Sequence, residues 1–281
     1  MSCKQSNNKQ PDLSFNPEPS VLYKLSVTRI NNLQWIYQDK PQQAVDSSLI
    51  NYTFQLIRTT DTAFLLKFTF GNFRKKTNQY KVDTETGIAA FTAVNTNPLL
   101  LYDYLLHFAK EQSVTVWMNT KGRSIQVNGV ERLVDSIAKI SGEPENITRQ
   151  FLEDFISDDV IKDELNKIFC FIPGKPKNPR QSWVENIILM AKAPVKWSTS
   201  FTLDSMRNDT ADISCNSFMS ARQGGDGRTY MKGKLTGNIK ASYTSGIPFS
   251  WIASSETTTT TDSYDIITRQ FLKVSIVAEK P

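Results

Sequence analysis

The feature that most constrains this chain is a two-residue alternation of apolar and polar side chains that returns along most of its length. Tyr23, Leu25 and Val27 alternate with Lys24, Ser26 and Thr28. Tyr52, Phe54 and Leu56 repeat the pattern, as do Phe64, Leu66, Phe68 and Phe70. This is the period of a strand with one face on a core and the other in water. From Trp183 onward it resumes in segments spanning Val195–Leu203, Ile213–Phe218, Tyr230–Leu235, Ile239–Tyr243, Phe249–Ser255 and Ile266–Ala278. Gly224, Gly225 and Gly227 mark a hairpin loop; a phosphate-cradling loop would need a helix after it, and the pattern there is strand-like.

Two stretches break the alternation. Asn97 and Pro98 are placed to open a helix with Leu101, Tyr104, Leu105 and Phe108 on one side. Asn128-Gly129 is a hairpin-type turn signal, and helical spacing begins after it, at Val130, Leu133, Val134, Ile137 and Ile140. Two further helices are expected after Pro144 and Ser157, and prolines 173, 176 and 179 end the block. The expected class is α+β: curved antiparallel sheet, with a half-barrel among its forms, and a helical insertion at about 130–172.

With 281 residues, 39% of them hydrophobic, the chain can bury a substantial core. A folded body is expected over 20–281, one unit or two joined lobes. Residues 1–19, polar and carrying three prolines, read as a flexible tether. Cys3, after Ser2 and before Lys4, Gln5 and Ser6, looks like the acylated cysteine of a bacterial lipoprotein. No apolar run precedes it in the sequence, so that reading competes with a chance cysteine. Acylation would make the membrane a partner through a stable lipid anchor.

The net charge of +5 is spread along the chain, so no nucleic acid is expected as a partner. One histidine and three cysteines remove most metal and imidazole chemistry, and no metal, cofactor or catalytic residue is assigned. His107 reads as a helix C-terminal residue that complements the dipole. Ser136 and Lys139 match a serine–lysine spacing whose companion motifs are missing. Eight acidic residues between 143 and 165 lack calcium-loop spacing and read as a solvated helical face. Arg74-Lys75-Lys76 reads as a solvated basic loop. Cys170 and Cys215 read as small buried hydrophobes, with a disulfide left open.

The segment Phe171-Ile172-Pro173-Gly174-Lys175-Pro176, closing with Ser182-Trp183, resembles an uncharacterised family of Bacteroidetes cell-envelope lipoproteins. Gly122 to Gly129 looks like that family's strand before a helix, and Leu235-Thr-Gly237 with Tyr243 to Gly246 looks like its strand pair. Arg180 or Gln181 stands where that family usually has Gly, and Ala241 to Tyr243 where an Asp is common. The resemblance implies a lipidated protein of the outer membrane, facing the periplasm or the surface, and brings no catalytic residues.

Asp-[Ser/Thr]-apolar tripeptides resembling O-glycosylation acceptors of the same phylum occur at Asp61, Asp135, Asp204 and Asp209. Composition alone would give about one. Thr62, Ser205 and Thr210 are the candidate acceptors, since Ser136 falls in an expected helix. The leading functional expectation is a non-enzymatic module that binds a hydrophobic ligand or envelope component in an apolar cavity of the bent sheet. The alternatives are a structural or interaction protein for outer-membrane partners and, from another class, a carboxylate-based glycoside hydrolase using Asp83 and Glu85.

Overall fold

A computed structural model describes residues 13–77, 81–83, 98–153, 155–175, 177–190, 194–223, 229–261 and 265–280. Its strands are β1 (Leu22–Tyr37), β2 (Lys40–Thr59), β3 (Ala63–Thr77), β4 (Lys81–Asp83), β5 (Ser113–Asn119), β6 (Ser124–Asn128), β7 (Ser182–Leu189), β8 (Val195–Arg207), β9 (Thr210–Gln223), β10 (Thr229–Ser242), β11 (Pro248–Thr260) and β12 (Asp265–Glu279). Its helices are α1 (Pro98–Ala109), α2 (Val130–Ser141), α3 (Glu145–Leu152) and α4 (Asp158–Phe169).

All the strands join one antiparallel sheet in the order β6-β5-β3-β2-β1-β12-β11-β10-β9-β8-β7, with β4 paired to β3 beside this path. The first and last strands, β1 and β12, pair at its middle, Leu25 opposite Ile276 and Val27 opposite Val274. The chain therefore builds the sheet outward in both directions from its two ends. The α+β expectation is corrected toward a mostly antiparallel-sheet protein. Three of the four short helices lie where the helical insertion was expected.

The alternation places Tyr23, Leu25, Val27, Phe54, Leu66, Phe68, Phe201, Leu235, Trp251, Val274 and Ile276 in the core. The outward positions of β8 and β10 include Lys196, Ser198, Ser200, Lys232, Lys234 and Thr236, mostly exposed.

Three local expectations are corrected. The tether does not reach residue 19: Leu13 and Phe15 are core residues, and the Phe15 ring lies 5.0 Å from that of Phe169 and 5.6 Å from that of Phe64. The Phe15 N–H donates to the Thr120 carbonyl at 2.7 Å, so this segment has backbone partners that its polar composition conceals. Asn128-Gly129 is not a hairpin: Gly129 (φ 99°) turns β6 directly into α2, a backbone state open to glycine. Segments 230–235 and 239–243 are parts of a single strand, because β10 pairs with β9 in unbroken register from Thr229 to Ser242.

Candidate functional site

On the inner face of the sheet, successive rungs can be followed across β1, β12, β11 and β10. Arg29 stands opposite Leu272, and Asn31 opposite Gln270. Gln270 stands opposite Ser255, and Ser255 opposite Leu235. Helix α4 lies against both edge strands, β6 and β7. Between α4 and the sheet is a cavity of about 250 Å³, with apolar walls that include Trp197, Met219, Met231, Leu235, Trp251 and Leu272. Ser255, Thr257, Thr268 and Gln270 add polar positions, and Arg29, Glu164 and Lys167 bring the charges.

Helix α4 exists because Ser157 caps it, its hydroxyl accepting from the Val160 N–H at 3.3 Å, and because Asp158 and Asp159 occupy its first turn. Its buried residues include Ile161, Leu165, Ile168 and Phe169. Glu164 and Lys167, three apart, share a face, and both line the cavity. The Arg29 guanidinium, from the inward phase of β1, donates to the Glu164 carboxylate.

Burial disfavours both charges of this pair, yet each raises the stability of the other's ionised form. The Glu164 carboxyl is held below its usual range by Arg29 and Lys167, despite burial. Arg29 is raised, with Glu164 outweighing its desolvation. Lys167 is treated differently: burial, helped by the Arg29 cation and only partly countered by Glu164, holds its amine below the usual lysine range.

The same helix bridges the two unpaired edges of the sheet. The Ser124 N–H of β6 donates to Asn166 Oδ1 at 2.8 Å, and the Met190 N–H just beyond β7 donates to Asp163 Oδ2 at 2.6 Å. Side-chain partners thus satisfy edge N–H groups that an open sheet leaves free. Arg123 and Glu185 pair across the gap at 2.8 Å.

Among the described residues, the candidates read from the sequence are not brought together. Cys3 and Glu85 lie outside the described residues, as do Asn97 and most of the glycine loop at 224–228. Asp83 stands opposite Arg74 in β4. Thr62 is exposed in the turn between β2 and β3, Thr210 is half-buried at the start of β9, and the Ser205 hydroxyl donates to Asp212 at 2.8 Å. His107 is in the last turn of α1, its ring 5.6 Å from that of Phe108. Ser136 and Lys139 lie on α2.

Cys170 and Cys215 are buried free thiols. Burial pushes Cys170 up to about 12 and Cys215 up to about 11. Among the described residues, no group of three or more His, Cys, Asp or Glu could hold a metal ion.

The sequence reading missed Arg29, Glu164, Lys167, Trp197 and Trp251 as a group. A signal for Arg29 was present: it occupies the inward phase continued from Leu25 and Val27, where a charge needs a buried partner. Nothing local pointed from it to Glu164, 135 residues away.

The first residues of the aromatic-Pro-Lys-Pro segment, Phe171 to Pro173, are buried, whereas Gly174 and Lys175 are exposed. Phe171 and Ile172 are fully buried, and Trp183 stacks on Phe201 with ring centroids 5.6 Å apart. Arg180, one of the two positions with Gln181 where the resembled family usually has Gly, has φ +70°.

Among solved structures, the chain is similar to an outer membrane channel from Pseudomonas putida F1, at 8% identity and a TM-score of 0.23, covering 98% of this chain and 100% of the channel. Ail, the attachment invasion locus protein of Yersinia pestis, gives 4% identity and 0.18 over 91% and 98% of the two chains. The translocator domain of the autotransporter NalP from Neisseria meningitidis gives 7% and 0.22 over 92% and 89%. Scores this low carry no argument about function. No curated protein matches the chain. Residues 61–248 match a protein family across α4 and the cavity walls formed by β7 to β10, and the chain belongs to that family, the family of unknown function DUF6263.

Proposed function

We propose that this protein is a non-enzymatic binding module of the bacterial envelope, anchored by acylation of Cys3, that holds a hydrophobic ligand inside its curved sheet. The observation that carries the binding reading is the cavity of about 250 Å³ between α4 and the sheet, with Trp197, Met219, Met231 and Trp251 in its walls. Well-packed interiors leave few voids larger than a water molecule, so a space of this size with a few convergent polar groups is the usual form of a ligand site. The envelope reading is supported by the setting of Cys3 and by the Asp-[Ser/Thr]-apolar tripeptides. Exposed Thr62 is the acceptor that a glycosylating enzyme would reach most easily.

The test of binding is titration with the neutral fluorescent probe N-phenyl-1-naphthylamine. Wild type should enhance its emission saturably, and Met219→Trp, which fills the cavity, should lose that response. Absence of saturable binding to wild type would remove the ligand reading. For the anchor, the mass of the Cys3 peptide from membranes of the native host should show added acyl chains; an unmodified peptide would remove the lipoprotein reading.

A second reading, an interaction module for envelope partners, is favoured by one feature of the outer face. Ile30 and Phe271 stand opposite each other across β1 and β12 while 42% and 37% exposed, and Ile252 on β11 is 45% exposed. Crosslinking in cells from position 271 should capture a specific partner if this face is used, and background capture alone would discard the idea.

A further inference from the structure

This inference rests on the binding reading above and names the ligand's chemistry. The cavity wall carries two cations, Arg29 and Lys167, and one carboxylate, Glu164. Arg29 and Glu164 are paired with each other. Asp163, the neighbouring acid on α4, accepts from the Met190 N–H and does not line the cavity. The Lys167 carbonyl accepts from the Cys170 thiol at 3.1 Å, while the Lys167 ammonium makes no hydrogen bond or close ion pair with the described residues and feels Glu164 and Asp163 only at longer range. This ammonium therefore stands half-buried in the wall of an apolar chamber, held below the usual lysine range by burial and by Arg29, although Glu164 and Asp163 act in the opposite direction. A desolvated cation without a hydrogen-bonded partner is unfavourable unless something else supplies the opposite charge.

Two features of the chamber restrict what can supply it. Indole and thioether walls suit an alkyl chain, since methionine side chains adapt to irregular apolar shapes. The volume, about 250 Å³, lies just under the range of about 300–1,000 Å³ for sites that take drug-sized ligands. One short chain fits and a two-chain lipid does not.

We infer that the cavity takes a single-chain amphiphile with an anionic headgroup, the headgroup bound by Lys167 and Arg29 and the chain lying along Trp197, Met219, Met231 and Trp251. The occupant is of the medium-chain carboxylate class, and its headgroup gives the Lys167 ammonium a direct anionic partner in place of the more distant Glu164 and Asp163.

The experiment compares decanoate, decanol and decyltrimethylammonium on the full chain, each below its micelle-forming concentration, by calorimetry and tryptophan emission. Decanoate should bind at least tenfold more tightly than decanol, and the cationic amphiphile should bind least. Lys167→Met, which keeps the length of the side chain and removes its charge, should bring decanoate and decanol to equal affinity. It should also raise the urea midpoint of the protein without added amphiphile, because a half-buried cation with no hydrogen-bonded partner is gone.

If decanol binds wild type as well as decanoate does, or if Lys167→Met leaves their difference unchanged, the headgroup assignment is wrong while the binding reading stands. If none of the three amphiphiles binds, the ligand reading itself falls. The comparison of the three on wild type decides the headgroup question even if Lys167→Met fails to fold.

Discussion

The Arg123 guanidinium, just before β6, meets the Glu185 carboxylate of β7 at 2.8 Å, joining the two ends of a sheet whose edge strands do not pair with each other. Both side chains are about four-fifths buried or nearly so, at 18% and 25% exposure. A pair so shielded is screened less than a surface ion pair. Arg123 also donates to the Cys170 carbonyl at 3.4 Å, which links the pair to the end of α4.

A double-mutant cycle with Arg123→Met and Glu185→Gln should therefore give a coupling of about 1–2 kcal/mol in urea unfolding, within the range for residues sharing one network. Each single change should also speed proteolysis in α4, whose packing both edges support. A coupling near zero would show that the helix alone holds the edges together.

The Arg29–Glu164 pair should leave its mark on acid stability. The Glu164 carboxyl is lowered in the folded state, so it binds its proton more readily when unfolded. Its contribution is fully present above the ordinary glutamate range and is lost as pH falls below about 4.5, through the lowered folded value. Glu164→Gln should cost about 3 kcal/mol at pH 7, because Arg29 is left buried without its partner. The cost should shrink on acidification, as measured by urea midpoints between pH 7 and pH 3.

The raised thiols of Cys170 and Cys215 make both side chains poor nucleophiles at pH 8, where almost none of either is thiolate. Iodoacetamide should leave the native protein unlabelled over hours and label both residues in guanidinium. Rapid labelling of either cysteine in the native state would show that α4 or β9 opens locally.

Phe15 should behave as a core residue despite its polar neighbours. Its ring is fully buried among Phe64 and Phe169, and Phe15→Ala should cost about 3–5 kcal/mol. Gly246 reports on the same segment: it has φ +63°, and an added Cβ would lie 2.4 Å from the Ser14 carbonyl oxygen. Gly246→Ala should thus lower the thermal midpoint as well. A small loss in both variants would place the first strand, and not this segment, at the boundary of the folded body.

Arg180 holds φ +70°, a conformation that costs a residue with a Cβ about 1–2 kcal/mol and glycine almost nothing. Arg180→Gly should leave stability unchanged or raise it by up to about 1 kcal/mol, while Arg180→Val should lower it. The comparison of the three midpoints isolates backbone strain from the loss of the arginine side chain.

The alternation of Tyr23, Leu25 and Val27, and its return in Phe64 to Phe70 and from Trp183 onward, determined by itself that the chain forms antiparallel strands with one buried face, interrupted by helices at 130–169. That information is local: a two-residue period and a helix cap are written within a few neighbours. Which strands pair was not local. That β1 joins β12 is a pairing across almost the whole chain, and that Arg29 meets Glu164 across 135 residues depends on the sheet curving around α4.

Phe15 escaped the sequence reading for the same reason, since a lone aromatic in a polar segment is buried only if a distant ring such as Phe169 is there to receive it. The charged wall of the cavity was likewise decided by tertiary structure. Lys167 reads as an ordinary helix-surface lysine until the sheet bends around α4 and half-buries it in the cavity wall. Burial depends on what the rest of the chain brings near a residue, and that is set by the closure of the whole sheet.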